Sequence, residues 1–257
     1  MVLKILFFIW GSVMGSFLNV CIYRMPRAQS VVMPRSHCVH CNKTIAWHEN
    51  IPLVSFIALR ARCSSCKKPI AARYFVVELL TAVLFATLYS LYGLTPALFI
   101  YLAFVCGLIV ASFIDLEHQL IPDSISLGGL ALGLAASVVY PQFFNLGSRT
   151  QALLYSACGA LAGGVSIYLT GRIGKILFKK DAMGFGDVKF LAMIGSLLGC
   201  KKVMLIFLLA PFLGMPFGLV LKIKYKLETI PYGPYLSLAA LIVMLWGDVI
   251  LRRLFYI

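Results

Sequence analysis

Eight long apolar runs constrain this chain more than any other feature. They lie near residues 3–22, 74–92, 95–114, 123–140, 151–171, 186–199, 202–222 and 234–251. A helix needs about 17 to 25 such residues to cross roughly 30 Å of hydrocarbon, where every backbone amide must find its partner inside the protein. Composition agrees, since 61% of the 257 residues are apolar and only 12% are charged. Too few polar side chains remain to cover a water-facing surface. A soluble globule, a disordered chain and a cytosolic nucleic-acid binder are excluded, and no nucleic-acid partner is expected. The predicted fold is an all-α polytopic membrane protein with about eight transmembrane helices. The sixth run is the shortest and fits a tilted or re-entrant segment as well as a full span.

The formal charge of +14, from 23 Lys and Arg against nine Asp and Glu, then needs a membrane explanation. Placing the loop 23–73 on the cytoplasmic side and alternating eight spans puts 17 of those basic residues inside and six outside, as the positive-inside rule requires. Lys180 and Lys226 are among the inside residues, and Lys201 and Lys202 run against the trend. The excess reads as a topology signal and as attraction to anionic membrane lipid. The first run, followed by Arg24, Arg27 and Arg35, reads as an uncleaved anchor, and both termini fall outside. Three segments result: a first transmembrane helix at 1–22, a cytoplasmic loop at 23–73 and a seven-helix membrane core at 74–257. No internal repeat at a fixed period is visible. Gly163-Gly164, inside a span, reads as helix packing.

The loop carries Cys38-Val39-His40-Cys41 and, 21 residues later, Cys63-Ser64-Ser65-Cys66. Each CxxC knuckle turns two thiolates toward one tetrahedral centre, so Cys38, Cys41, Cys63 and Cys66 are the predicted ligands of one zinc ion. Two disulfides are the rival reading, and a reducing cytoplasm disfavours them. Four sulfurs leave no open position to activate water, which makes the zinc structural. A loop this small buries little apolar surface, so metal binding would supply much of its folding free energy.

Carboxylates are scarce enough to take singly, because an ionised carboxylate in hydrocarbon is costly. Asp115 ends the third span and Asp187 opens the sixth, within Gly184-Phe185-Gly186-Asp187-Val188-Lys189. In the topology above both reach the cytoplasmic face, although only Lys and Arg set that topology. Two neighbouring carboxylates can hydrolyse a peptide bond, one taking a proton from water while the other polarises the carbonyl. Gly184 and Gly186 leave room for a substrate backbone, and Lys189 joins them as a candidate substrate contact. The alternative is that both aspartates only cap helices at an interface. Asp123, after Pro122, reads as such a cap and is the main competitor for a catalytic role. Glu117, His118 and Asp181 read as loop residues, Asp248 has no obvious task, and Glu49 and Glu78 can pair with local Arg and Lys or meet a ligand.

The chain resembles the bacterial type IV prepilin peptidases nearly end to end. The pieces are Gly15-Ser16-Phe17-Leu18-Asn19-Val20 with Arg24 and Pro26, the CxxC pair, and Trp47-His48-Glu49-Asn50-Ile51-Pro52-Leu53-Val54-Ser55 between the knuckles. Arg73-Tyr74, Glu78-Leu79, Ile114-Asp115 through Gln119, Pro122-Asp123, the Gly184 to Lys189 motif and Pro231-Tyr232-Gly233-Pro234-Tyr235 follow. The resemblance implies that Asp115 and Asp187 are the catalytic pair of a GxGD-type intramembrane aspartyl protease in the bacterial inner membrane. It implies cleavage of the short basic leader of type IV prepilins or type II secretion pseudopilins after a glycine. It also implies methylation of the new N-terminal amine with S-adenosylmethionine. No strand-turn-helix glycine fingerprint marks the site of that cofactor; the zinc loop with Glu49 or Glu78 is the place to look. A non-enzymatic membrane scaffold of the secretion machinery, with the zinc loop as an interaction module, is the alternative.

Overall fold

The computed structural model describes residues 1–179, 183–225 and 231–255. Lys180, Asp181 and Lys226 lie outside the described residues. The described helices are α1 (Val2–Arg24), α2 (Val54–Ala58), α3 (Ala72–Tyr92), α4 (Pro96–His118), α5 (Asp123–Val139), α6 (Arg149–Phe178), α7 (Phe185–Leu198), α8 (Cys200–Tyr225) and α9 (Gly233–Phe255). Eight of them coincide with the eight apolar runs, and the short α2 sits in the loop. Among the described residues there is no β-strand, only isolated bridges between His37 and Thr44 and between Arg62 and Pro69. The protein is an all-α, multi-pass membrane protein.

Six of the described helices, α1, α3, α4, α6, α8 and α9, are long and apolar enough to cross a membrane. Eight were expected; α5 has 17 residues and α7 has 14. At 1.5 Å per residue, α7 is about 21 Å long, short of the roughly 30 Å hydrocarbon core. It is instead packed inside protein, with Phe190, Leu191 and Met193 through Leu198 buried.

Two compact units divide at Val110 and Ala111, inside α4. In the first, α1 lies against α3 through a glycine face. A Cβ on Gly11 would sit 2.7 Å from the Ala82 Cα, and one on Gly15 2.6 Å from the Glu78 Cα. Small residues at this spacing let two helix backbones approach where lipid supplies no hydrophobic drive. Ile22, Val77, Phe85 and Leu88 fill the seam, and Phe7 stacks on Tyr89 with ring centroids 4.6 Å apart.

In the second unit, α5 and α6 enclose α7. Gly159 and Gly163 of α6 press on the backbone of Gly195 and Leu191, which identifies Gly163 as a packing residue. Gly129 and Gly133 of α5 meet Met193 and Ser196. The Ser156 hydroxyl donates to the Ser196 carbonyl at 2.7 Å, a bond of unusual value where no water competes. Lys202 pairs with Asp248 at 2.9 Å, joining α8 to α9. That pairing gives Asp248 a task and neutralises one of the two lysines that opposed the charge asymmetry. Leu154, Leu161, Phe212 and Phe217 stay exposed, as a lipid-facing surface requires.

Candidate active site and metal centre

Asp115 sits in the last turn of α4, after the fully buried Ile114, and is itself 5% exposed. Its Oδ2 accepts the Gly233 backbone N–H at 2.8 Å, at the first residue of α9. Asp187 is the third residue of α7, and its Oδ2 accepts the Gly184 N–H at 3.3 Å. The two carboxylates lie in one compact unit and are close enough to interact electrostatically. Asp187 therefore does cap its helix, as the alternative reading expected, while also lying within electrostatic reach of Asp115. Burial pushes the Tyr232 phenol well above its usual range, and the Asp187 charge adds to this. The hydroxyl thus stays protonated, and its oxygen is buried with no hydrogen-bond partner.

Tyr232 and Gly233 had no assigned role in the sequence, where the Pro231 to Tyr235 cluster was their only signal. Gly233 is needed for space: a Cβ there would lie 2.9 Å from the Asp115 Oδ2 and 3.2 Å from its Cγ. Gly233→Ala is therefore expected to displace the Asp115 carboxylate and, where that carboxylate acts in hydrolysis, to lower the rate by about 100-fold. Cleavage at the wild-type rate by an inserted Gly233→Ala protein would show that this contact does not position Asp115.

Asp123 is engaged elsewhere. Its Oδ1 and Oδ2 accept the Lys189 ammonium at 2.7 and 2.8 Å, so the pair links α5 to α7. Asp123 occupies the first turn of α5 without a side-chain capping bond at Pro122. Lys189 also stacks over the Phe185 ring at 5.1 Å. Gly184 has φ −74°, which any residue adopts, and the nearest atom to its added Cβ is the Asp187 Oδ2 at 3.4 Å. Neither backbone strain nor crowding demands that glycine. Glu117 and His118 are exposed, but in the final turn of α4 rather than in a loop, because the helix continues past the apolar run.

The four loop cysteines form one cluster, their sulfurs all within 4.8 Å of one another. Sulfurs about 2.3 Å from a central ion in a tetrahedron stand about 3.8 Å apart; the Cys38 and Cys66 sulfurs are 3.9 Å apart. The two knuckles fold alike. The Cys38 and Cys63 N–H groups donate to Lys43 and Lys68 carbonyls, each at 2.9 Å, and Asn42 and Lys67 N–H groups donate back to the Cys38 and Cys63 carbonyls. Asn42 and Lys67 both take positive φ, at 56° and 58°. So 37–44 and 62–69 are a structural repeat that the sequence, reduced to two CxxC strings, did not display. Backbone N–H groups of Cys66 and Ser65 aimed at the Cys63 sulfur draw its thiol down to about 6, which favours the thiolate that a metal needs. The cluster can hold a metal ion, and neither His37 nor His40 belongs to it.

The comparisons with known proteins match this division. The family model described as bacterial peptidase A24 N-terminal domain matches residues 9–92, and the one described as type IV leader peptidase family matches residues 102–219. A prepilin leader peptidase/N-methyltransferase of Aeromonas hydrophila is 37% identical over 96% of this chain and 92% of the relative. The chain belongs to the type IV leader peptidase family. Relatives of the same name from Pseudomonas aeruginosa and Legionella pneumophila are 36% and 35% identical, over 94% and 95% of this chain and 90% and 91% of theirs. No solved structure matches the chain. This family membership adds a peptidase context to the carboxylate pair of the second unit.

Proposed function

We propose that this chain removes the basic leader from type IV prepilins or type II secretion pseudopilins after a glycine and methylates the new N-terminal residue. The observation that carries the reading is the neighbouring Asp115 and Asp187 carboxylates in a chain of this family. One carboxylate takes a proton from water as it attacks the scissile carbonyl, and the other donates a proton to that carbonyl. The Gly233 amide holds Asp115, and the unpartnered Tyr232 hydroxyl is available to a substrate oxygen. Gly184, Gly186 and Lys189 are the proposed substrate contacts. The protein would lie in the inner membrane with the loop and both aspartates on the cytoplasmic side.

The metal of the cysteine cluster is proposed to be zinc, held by Cys38, Cys41, Cys63 and Cys66 in a structural role. S-adenosylmethionine would supply the methyl group. A non-enzymatic scaffold is favoured by one observation, the Asp187 bond to the Gly184 N–H, which is what a cap makes. Incubating purified protein with a prepilin and weighing the product decides between them. Loss of the leader followed by gain of one methyl group is expected; an intact prepilin would favour the scaffold.

A further inference from the structure

The fold makes no use of the Tyr232 hydroxyl. Its oxygen is buried and, among the described residues, has no hydrogen-bond partner. A buried phenol ordinarily finds one, because a donor withheld from both water and protein is unfavourable. Tyr232 shares the second compact unit with Asp115 and Asp187. It stands one residue before Gly233, whose N–H holds the Asp115 Oδ2 at 2.8 Å. The Asp187 charge reaches its phenol and, after burial, is the second cause that keeps the proton on it.

The backbone that carries the ring is fixed. The Tyr232 carbonyl accepts the Tyr235 and Leu236 N–H groups, each at 3.1 Å, at the start of α9. Pro231, which is buried, and Pro234 restrict φ on either side of it. The hydroxyl is therefore a neutral, preorganised donor, tied through its backbone to one carboxylate and through electrostatics to the other. Asp115 is buried as well, so substrate entry that uncovers the carboxylate uncovers its neighbour. A dyad supplies a base for the water and an acid for the carbonyl, but a carbonyl oxygen has two lone pairs, and the acid serves only one.

We infer that Tyr232 is a third catalytic residue, whose O–H donates to the scissile carbonyl oxygen as that oxygen gains negative charge. The inference rests on the peptidase reading above. Water oxygen bonds to the carbonyl carbon, one water proton passes to the ionised carboxylate, and the C=O π pair moves onto oxygen. The protonated carboxylate gives its proton to that oxygen, while Tyr232 donates to the remaining lone pair and keeps its own proton. In the collapse the C–N bond breaks and its electron pair stays with nitrogen, which takes the proton first removed from water. The proton on the former carbonyl oxygen returns to the other carboxylate, leaving a carboxylic acid and an amine. Tyr232 carries no proton from one group to another; a fixed donor in a water-excluded site acts by stabilising the charge that develops.

The test uses the full-length protein in detergent with a prepilin as substrate. Tyr232→Phe deletes the hydroxyl alone. Because no hydrogen bond is lost with it, the variant is expected to melt no lower than the wild type. Its KM should stay the same while kcat falls by about 100- to 1,000-fold, the usual loss for one such donor. Placing 3-fluorotyrosine at position 232 retains a donor and is expected to restore turnover. Binding gives a readout that needs no turnover. A difluoroketone analogue of the cleavage sequence hydrates to a tetrahedral diol, and Tyr232→Phe should weaken its binding by about tenfold or more. A reduced-amide analogue lacks the carbonyl oxygen and should bind both proteins equally. Wild-type kcat in Tyr232→Phe, a raised KM with kcat unchanged, or a lowered melting temperature would each overturn the role of this tyrosine. A wild type that leaves the prepilin intact would instead overturn the peptidase reading itself.

Discussion

Asp115→Asn and Asp187→Asn are each expected to abolish leader cleavage while the protein stays inserted and folded. An amide can neither take a proton from water nor give one to a carbonyl, and general acid–base catalysis is worth about 100- to 10,000-fold. The Asp115 amide could even keep its oxygen toward the Gly233 N–H, so a folding defect is not the expected cause of inactivity. Asp123→Asn breaks only its pair with Lys189, and half-exposed pairs of this kind contribute about 0 to 1 kcal/mol. It should retain partial activity. Prepilin cleavage assayed with all three variants checks the assignment; a dead Asp123→Asn beside an active Asp115→Asn would reverse it.

The second large effect belongs to the cysteine cluster. Replacing Cys38 and Cys41 together with serine removes half of the donor set. Structural zinc sites supply about 10 to 16 kcal/mol of apparent binding free energy to the segments they fold. Zinc content is expected to fall to near zero and the loop 23–73 to become protease-sensitive. Cleavage should suffer less than the fold of the loop, because both aspartates lie in the other compact unit. Any slow cleavage that remains should still be lost on adding Asp187→Asn. Undiminished zinc in the double variant, measured by metal analysis, would remove these cysteines from the site.

The spans were legible because hydrocarbon demands unbroken apolar runs, and the knuckles because two thiolates on one turn need the CxxC spacing. Helix ends were less so. α4 continues through Asp115, Glu117 and His118, and α6 continues through Arg172 and Lys175, because a helix can outlast the apolar run and carry polar residues beyond it. The two aspartates could be placed at one membrane face from alternating spans, but not their partners. Gly233 lies 118 residues from Asp115, and Lys189 lies 66 residues from Asp123. Such contacts are set by tertiary packing, which no local pattern records. Tyr232 was equally silent, since a tyrosine in a sequence looks the same whether its hydroxyl is satisfied or orphaned.

The glycine face of α1 also sets a timetable for assembly. Gly11, Gly15 and Asn19 recur every fourth residue on one side of that helix, and what they meet is α3. The Asn19 side chain donates to Tyr74 only once α3 exists, yet the ribosome finishes α1 at Arg24 and α3 at Tyr92. At roughly 5 to 20 residues per second, that interval is about 3 to 14 s. Throughout it, α1 carries a grooved, polar-bearing face unsuited to lipid. Pairing with α3 covers that face, so the α1–α3 seam closes only after α3 has been made.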